Sequence, residues 1–496
     1  MNISSCTEAG AKAACTADAA AVERLSVAQL HAAYRGGRLS PVEVAKDLLL
    51  RLEQAQAAVN AFMPVDSSQT LAMARASEAR WRAGTPIGPL DGVPVTIKDL
   101  VAVEDWPLLR GSESRVGQPS PTEDAASVAR LREAGCVFLG KTTTPDSGSR
   151  ITTESAVHGV STNPYDVGRT PGGSSGGAGA ALALGVGPLA LGTDGAGSIR
   201  IPAAWCGVFG LKPSFGRVPS AKFDIDMPFS VIGPMARSVE DAAYMLEAMA
   251  KPDPNDAFAL AAPFRLNEAM RSDAVGLRVG ITMDFGNPTW PVEVEVEIAD
   301  AVRRAADVLS NVGADVRPLH VRWPLAPLPT FNVFWEALYA GALALMPQAQ
   351  RMRMDPALLA IADRGARFSA TDFLVALNGR LAMTAAAHAL FSGIDVLIGP
   401  VMPCTAPLVA NNAPPGGAEG NWDWCPFTYL WNMTGQPASS VPMGIDRHGI
   451  PIGVQVVGAM AQDETVLRVS RVLESNAPGR PQPGLFDQLS GVAGGG

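Results

Sequence analysis

A chain of 496 residues, 47% apolar and 18% charged, has ample material for a large core and the composition of a soluble globular protein. Its net charge of -9 leaves no basic footprint for nucleic acid and no polybasic patch for a membrane, so neither is an expected partner. The cysteines (Cys6, Cys15, Cys136, Cys206, Cys404, Cys425) and histidines (His31, His158, His320, His388, His448) are scattered, without zinc-site pairs or an HExxH pattern, and no metal or organic cofactor is expected.

The opening MNISSCTEAGAKAAC lacks a charged start followed by an apolar run, so it does not read as a secretory signal, and a cytoplasmic location is expected. Residues 1–22 are small and Ala-rich and read as a flexible tail, with 23–496 forming one domain. From Leu25 to Gln56 apolar residues recur at helical spacing. Within that run Ser40-Pro41-Val42-Glu43 supplies a helix start, with Ser as N-cap, Pro at the first position and Glu at the third. Gly92–Ile97 reads as a buried strand, Asp124–Ala134 as a helix and Val137–Leu139 as another strand, an alternation that predicts an α/β sheet covered by helices.

The uncharged stretch from Thr170 to Thr193 is broken by Gly, Pro and Ser, and its apolar part is too short to span a bilayer. Residues 251–390 are richer in helical patterning, as at Val294–Val312 and Ala357–His388, and read as a helical insertion over the sheet. Val396–Ile398 and Ile452–Val456 then return to the core as strands. No repeat of solenoid period is present.

Three local patterns compete for the chemistry. Gly135-Cys-Val-Phe-Leu-Gly140-Lys141-Thr142 fits the phosphate-loop pattern GxxxxGK[ST] letter for letter. Yet a helix precedes it, the loop positions hold Val137, Phe138 and Leu139, and Pro145 follows too soon for a helix, so Lys141 is placed at the end of a strand. Gly172-Gly-Ser174-Ser-Gly176 satisfies the GxSxG elbow of esterases, with Ser174 as nucleophile and His388 or His448 as base. The segment before it, Asn163 to Pro171, is a polar, Pro-broken loop where an elbow needs a strand. The plainer reading of that motif is a small-residue loop capping a helix from Gly176. The third pattern joins this loop to Gly192-Thr-Asp194-Gly-Ala-Gly-Ser198-Ile-Arg200-Ile-Pro202. Here Pro188–Leu191 reads as a strand ending in a Gly-rich turn, and the N–H groups of Gly195, Ala196, Gly197 and Ser198 can form a nest facing an oxyanion.

This third block closely resembles the amidase signature family, whose pattern is GGSSGG, then GTDxGGSIRxPA, with an upstream lysine in GVPxxxKD. The matching lysine segment is Asp91-Gly-Val-Pro-Val-Thr-Ile-Lys98-Asp99. Further likeness runs through Gly207–Pro213, Gly233–Asp241 and Asn432–Pro437, and it covers the chain from about Leu25 to Glu474, weakest in 251–390. The resemblance implies one α/β domain with a mixed central sheet flanked by helices. It implies Ser198 as the nucleophile that forms an acyl-enzyme, Ser174 as a bridging serine after a cis peptide bond, and Lys98 as the general base. It also implies that Gly195, Ala196 and Gly197 frame the oxyanion hole and that Asp194 and Arg200 brace the loop.

As a base, Lys98 must be a neutral amine, so its pKa has to fall from about 10.4 toward neutrality. Val93, Val95, Ile97 and Leu100 offer the apolar company that would desolvate it. For a lone lysine beside Asp99, a solvated surface ion pair is the plainer reading. One position departs from the family pattern: Ala196 stands where a glycine is usual, and its methyl is expected to limit φ and narrow the pocket floor.

The family hydrolyses primary amides, anilides, peptide and fatty amides, cyclic lactam dimers and, in some members, carbamates; homodimers and monomers both fit. Its glutaminase branch carries an aspartate at a position that falls near Cys425, which argues against glutamine here. Trp422, Trp424, Phe427, Tyr429 and Trp431 cluster and can line an aromatic pocket or simply pack the core. With no obvious charged anchor, the expected substrate is an aryl amide or aryl carbamate. Aliphatic or peptide amides, and an esterase built on Ser174, are the alternatives.

Overall fold

The structure, a computed structural model, describes residues 22–64, 66–220, 229–287, 293–411, 425–479 and 482–491. The predicted tail (apart from Val22) and the predicted pocket residues Trp422 and Trp424 lie outside the described residues.

The helical run after Leu25 is two helices, Val27–Arg35 and Pro41–Val59, because Gly36 and Gly37 interrupt it and Gly37 takes φ +64°. Ser40 caps the second as its motif predicts: its hydroxyl accepts the Glu43 N–H at 3.2 Å, and the Glu43 carboxylate accepts the Ser40 N–H at 2.7 Å. In the first half of the chain the strands are β1 (Phe62–Met63), β2 (Pro94–Lys98), β3 (Val137–Thr142), β4 (Glu154–Ser155), β5 (Gly159–Val160), β6 (Leu189–Asp194), β7 (Phe209–Lys212) and β8 (Val231–Ala236). They are followed by β9 (Arg278–Ile281), β10 (Asp315–Pro318), β11 (Val396–Pro400), β12 (Ala438–Ile445) and β13 (Pro451–Gly458).

All but the small β4–β5 ribbon join an 11-stranded mixed sheet in the order β1-β3-β2-β6-β8-β7-β12-β13-β11-β9-β10. β2 runs parallel to both β3 and β6, whereas β6–β8, β7–β8, β7–β12 and β12–β13 are antiparallel. Every residue of β2, β3 and β6 is buried, which accounts for their near-continuous apolar character: helices cover both faces, so no polar alternation survives. The α/β expectation holds. Residues 251–390, read as a helical insertion, also contribute β9 and β10, which extend the edge of the sheet.

The helices Pro327–Ala344, Pro356–Gly365 and Ala370–Gly393 pack around a second core of aromatic side chains, including Phe331, Phe334, Trp335, Tyr339 and Trp431. Ala370–Gly393 is long and apolar enough to cross a bilayer by length and composition; here Ala376, Met383 and Phe391 seat it on that core. The register between β2 and β6 sets Ile97 opposite Leu191, so Lys98 and the Thr193–Asp194 pair emerge together from the carboxyl ends of adjacent parallel strands. That end of an open α/β sheet is where ligands bind.

Candidate active site

Lys98 is wholly buried, and its Nζ lies 2.7 Å from Ser174 Oγ, 2.8 Å from Ser175 Oγ and 2.9 Å from Thr193 Oγ1. Burial pushes its pKa well below the ordinary lysine value, with the Asp194 carboxylate pulling the other way. The surface ion pair considered for Lys98 does not form. Asp99 points elsewhere and takes the buried ammonium of Lys141 at 3.0 Å, which places Lys141 in a strand-end ion pair rather than in a phosphate loop.

Ser174 directly precedes Ser175, the N-cap of the helix Gly176–Ala183, and the Gly173–Ser174 peptide bond is cis. The helix must lie close to the sheet, since a Cβ on Gly177 would meet Thr143 Oγ1 at 2.5 Å. No strand precedes Ser174 and its hydroxyl partner is Lys98, so the esterase elbow is not built. His388 is exposed on its helix, and His448 sits in a turn held by Asp446.

The loop carrying Ser198 is tied to the Ser174 loop by a hydrogen bond from the Ser175 N–H to the Ser198 carbonyl, 3.1 Å. Ser198 Oγ has no hydrogen-bond partner among the described residues. Ser174 and Ser198 both line a cavity of about 760 Å³. Beneath the loop, Asp194 accepts from Arg200 Nε (3.0 Å) and Nη2 (2.9 Å) and from the N–H groups of Gly197 (2.8 Å) and Ile199 (3.2 Å). Arg200 continues to Thr428 O (2.9 Å), Gln455 Oε1 (2.7 Å) and Asn432 Oδ1 (2.7 Å), so its whole guanidinium is spent on position. Burial alone would raise the Asp194 carboxyl, but the Arg200 guanidinium holds it down at about 2. These contacts make the pair a brace for the loop.

The brace changes the expected oxyanion frame. Gly197 is a correction: its N–H is already given to Asp194, so it has no hydrogen to offer an oxyanion. The N–H groups of Gly195, Ala196 and Ser198 donate to no partner among the described residues. Gly197 instead supplies geometry, at φ +123° with Thr428 packed where a Cβ would sit, while Thr428 Oγ1 donates to Ala196 O at 2.5 Å and fixes that peptide. The Ala196 methyl does not narrow the pocket floor either; it is fully buried in the aromatic core with Ile151 and Ile201.

Of the two readings open for the aromatic cluster, core packing holds for its described members. Phe427, Tyr429 and Trp431 are buried in the second core and do not line the cavity. The wall comes instead from Phe334, Trp335 and Tyr339 on Pro327–Ala344 and from Phe373 on Ala370–Gly393. Arg110 and Arg115 line it too, charged groups that the sequence reading passed over. Ser175 and Thr193 were missed as well, although both stand inside the quoted motifs. Among the described residues no group of three or more His, Cys, Asp or Glu is placed to hold a metal ion.

Two serines on one cavity, with a buried lysine behind Ser174 and unoccupied amides beside Ser198, are equipped for acyl transfer, and the comparisons agree. The family described as Amidase matches residues 43–467. The chain belongs to the amidase signature family. It is 34% identical over 466 residues to an acylamidase of Rhodococcus erythropolis, covering 92% of this chain and 96% of that one. The crystal structure of a bacterial aryl acylamidase of the amidase signature family superposes with a TM-score of 0.85 at 28% identity, covering 95% of this chain and 99% of that one. A 6-aminohexanoate cyclic dimer hydrolase, complexed with its substrate, gives a TM-score of 0.83 at 27% identity, covering 94% and 100%. This amidase is therefore an amidohydrolase with the large mixed sheet of its family.

Proposed function

We propose that the enzyme hydrolyses aryl amides or aryl carbamates through an acyl-enzyme on Ser198. The observation that carries the reading is the fully buried Lys98 amine at 2.7 Å from Ser174, with Ser174 and Ser198 opening on one aromatic-walled cavity. A neutral amine has two N–H donors and one lone pair, and three hydroxyls surround Nζ. Ser175 Oγ lies 3.3 Å from Thr193 O, to which it gives its own hydrogen, so it accepts from Lys98. The lone pair is then left to take the proton of Ser174.

Ser174 in turn draws the proton of Ser198, whose Oγ attacks the carbonyl carbon. The negative charge that develops on the carbonyl oxygen is met by the N–H groups of Gly195, Ala196 and Ser198. Collapse expels the leaving nitrogen, to which Ser174 returns the proton from Lys98, and water then frees Ser198 by the same relay. Phe334, Trp335 and Phe373 favour an aromatic group stacked on the wall.

The test is a matched panel (aryl anilide, aryl carbamate, aliphatic primary amide, aryl ester) run with wild type and Ser198→Ala. Anilide or carbamate turnover that disappears in Ser198→Ala supports the reading. Wild-type rates in the variant would remove Ser198 from the role, and much faster turnover of the aliphatic amide would remove the aryl preference.

A further inference from the structure

We infer that the Ser230 hydroxyl recognises an oxygen on the acyl side of the substrate, within two bonds of the scissile carbonyl carbon. Carbamates and 2-hydroxyacyl amides carry such an oxygen; simple alkyl amides do not. The inference deepens the proposed hydrolysis of aryl amides or carbamates and rests on Ser198 acting within the same cavity.

Six of the described residues on the cavity wall carry a hydroxyl, and four of these are engaged. Ser174 and Thr193 lie against Lys98 Nζ at 2.7 and 2.9 Å, Ser147 Oγ donates to Asp146 at 2.8 Å, and Tyr339 donates to Ser147 O at 3.0 Å. Among the described residues no partner meets the hydroxyl of Ser198 or that of Ser230. Ser198 is the proposed nucleophile, so Ser230 is the hydroxyl left for recognition. It is only 8% exposed, too withdrawn for bulk water to serve it fully, and it opens on the substrate space. Such a group has one hydrogen to give and lone pairs to accept with, and leaving it unmet is unfavourable.

The order of the strands tells which end of the substrate this hydroxyl meets. In the sheet β6 lies between β2 and β8, and residues 195–198 follow directly from the end of β6. Lys98 ends β2, so the proton relay through Ser174 reaches Ser198 from the β2 side. β8 runs antiparallel to β6 with Val231 paired to Asp194, so Ser230, one residue earlier, stands beside Gly195 on the opposite flank. The nitrogen that leaves must face Ser174 to receive its proton. The acyl group then points away from the relay, toward β8 and Ser230, and Gly195 has no side chain to cover the hydroxyl. The position is also held. Phe229 packs its ring on Phe331 (5.9 Å) and Phe334 (6.2 Å), and Asn432 Nδ2 spans Asp194 O (2.7 Å) and Phe229 O (3.4 Å). Asn432 thereby ties the start of β8 to the end of β6, and a recognition group fixed by its surroundings binds without losing freedom.

The experiment keeps 4-nitroaniline as the leaving group and varies the acyl side, comparing its methoxycarbonyl, 2-hydroxyacetyl and propionyl derivatives in wild type and Ser230→Ala. Propionyl has the shape of the other two, with carbon in place of the oxygen. Because intrinsic reactivity differs among the three, the quantity read is the ratio of wild-type to variant kcat/KM for each substrate. That ratio should reach about three- to tenfold for at least one oxygen-bearing substrate, the scale of one neutral hydrogen bond, and stay within about twofold for propionyl. An equal loss on all three would make Ser230 an oxyanion donor, and no loss on either oxygen-bearing substrate would leave it idle. Both results overturn the inference while the amidase reading stands. If wild type turns over none of the three, the amidase reading fails separately, and binding still decides Ser230. Calorimetric titration of the intact Ser198→Ala enzyme should show N-phenyl-2-hydroxyacetamide bound about three- to tenfold tighter than N-phenylpropanamide, a preference that Ser230→Ala in the same background abolishes. Equal binding of the two, no binding, or a preference that persists in the double variant overturns the site.

Discussion

Replacing Lys98 by arginine separates the charge of this position from its ability to take a proton. Arginine keeps a cation and several donors toward Ser174, Ser175 and Thr193, but it has no lone pair and stays protonated at every accessible pH. If the buried amine is the base, the variant loses the 10²–10⁴-fold that a positioned general base supplies, or about 3–5 kcal/mol of barrier. The wild-type kcat/KM should rise with pH as Lys98 sheds its proton and then level off. Because burial lowers that pKa well below the ordinary lysine value, the rise comes far below the pH at which a free lysine would titrate. The assay is anilide hydrolysis at constant ionic strength from about pH 5 to 10, with Lys98→Met alongside as an uncharged variant of similar length. Both variants should lose activity and the ascending limb together. Either one staying within tenfold of wild type, or keeping the same limb, would refute the assignment.

Removing the brace should expose its cost: Arg200→Met leaves the Asp194 carboxylate buried without its cation and should destabilise the enzyme by about 3–5 kcal/mol in chemical denaturation. A double change that also makes Asp194 leucine should recover part of that loss. The Asp194 carboxyl, held at about 2 against an ordinary 3.8, contributes roughly 2–3 kcal/mol that is fully present above pH 3.8 and lost as pH falls through about 2. Asp194→Asn should therefore flatten the acid limb of the stability curve, and an unchanged limb would count against this account. Gly197→Ala forces a Cβ to 2.5 Å from Thr428 Oγ1 at φ +123° and should lower kcat by about 10²–10³-fold, as losing an oxyanion donor does. By contrast Ala196→Gly should cost about 1–2 kcal/mol of stability and leave kcat within a few-fold.

The sequence speaks clearly where one local rule suffices. Ser40 and Glu43 announce a helix start, and Val95 and Ile97 announce a buried strand whose end carries Lys98. The Lys98, Ser174 and Ser198 motifs come from three separate segments, and the sheet brings those segments together at the carboxyl ends of β2 and β6. What local rules miss is anything decided by a distant partner. β9 and β10 have four residues each, too few for a period to emerge from the helices around them. Nothing near Gly197 tells that its amide serves Asp194, and nothing near Tyr429 tells that its ring turns into the core while Phe334, far upstream, turns into the cavity. Helical spacing marks Ala370–Gly393 as a helix without saying that Phe373 meets the substrate space.

Arg200 reaches Thr428 and Gln455, 228 and 255 positions away, to hold the loop of Ser198 in place. A ribosome adding about 5–20 residues per second needs roughly 13–50 s to cover the longer of those distances. During that interval the growing chain already contains Lys98, Ser174 and Ser198, yet the guanidinium lacks acceptors that are still unsynthesised. Strands β12 and β13, which sit in the middle of the sheet between β7 and β11, arrive equally late. The nascent protein thus lacks the full Arg200 brace until its last quarter emerges, and it must keep two open sheet edges from other chains while it waits.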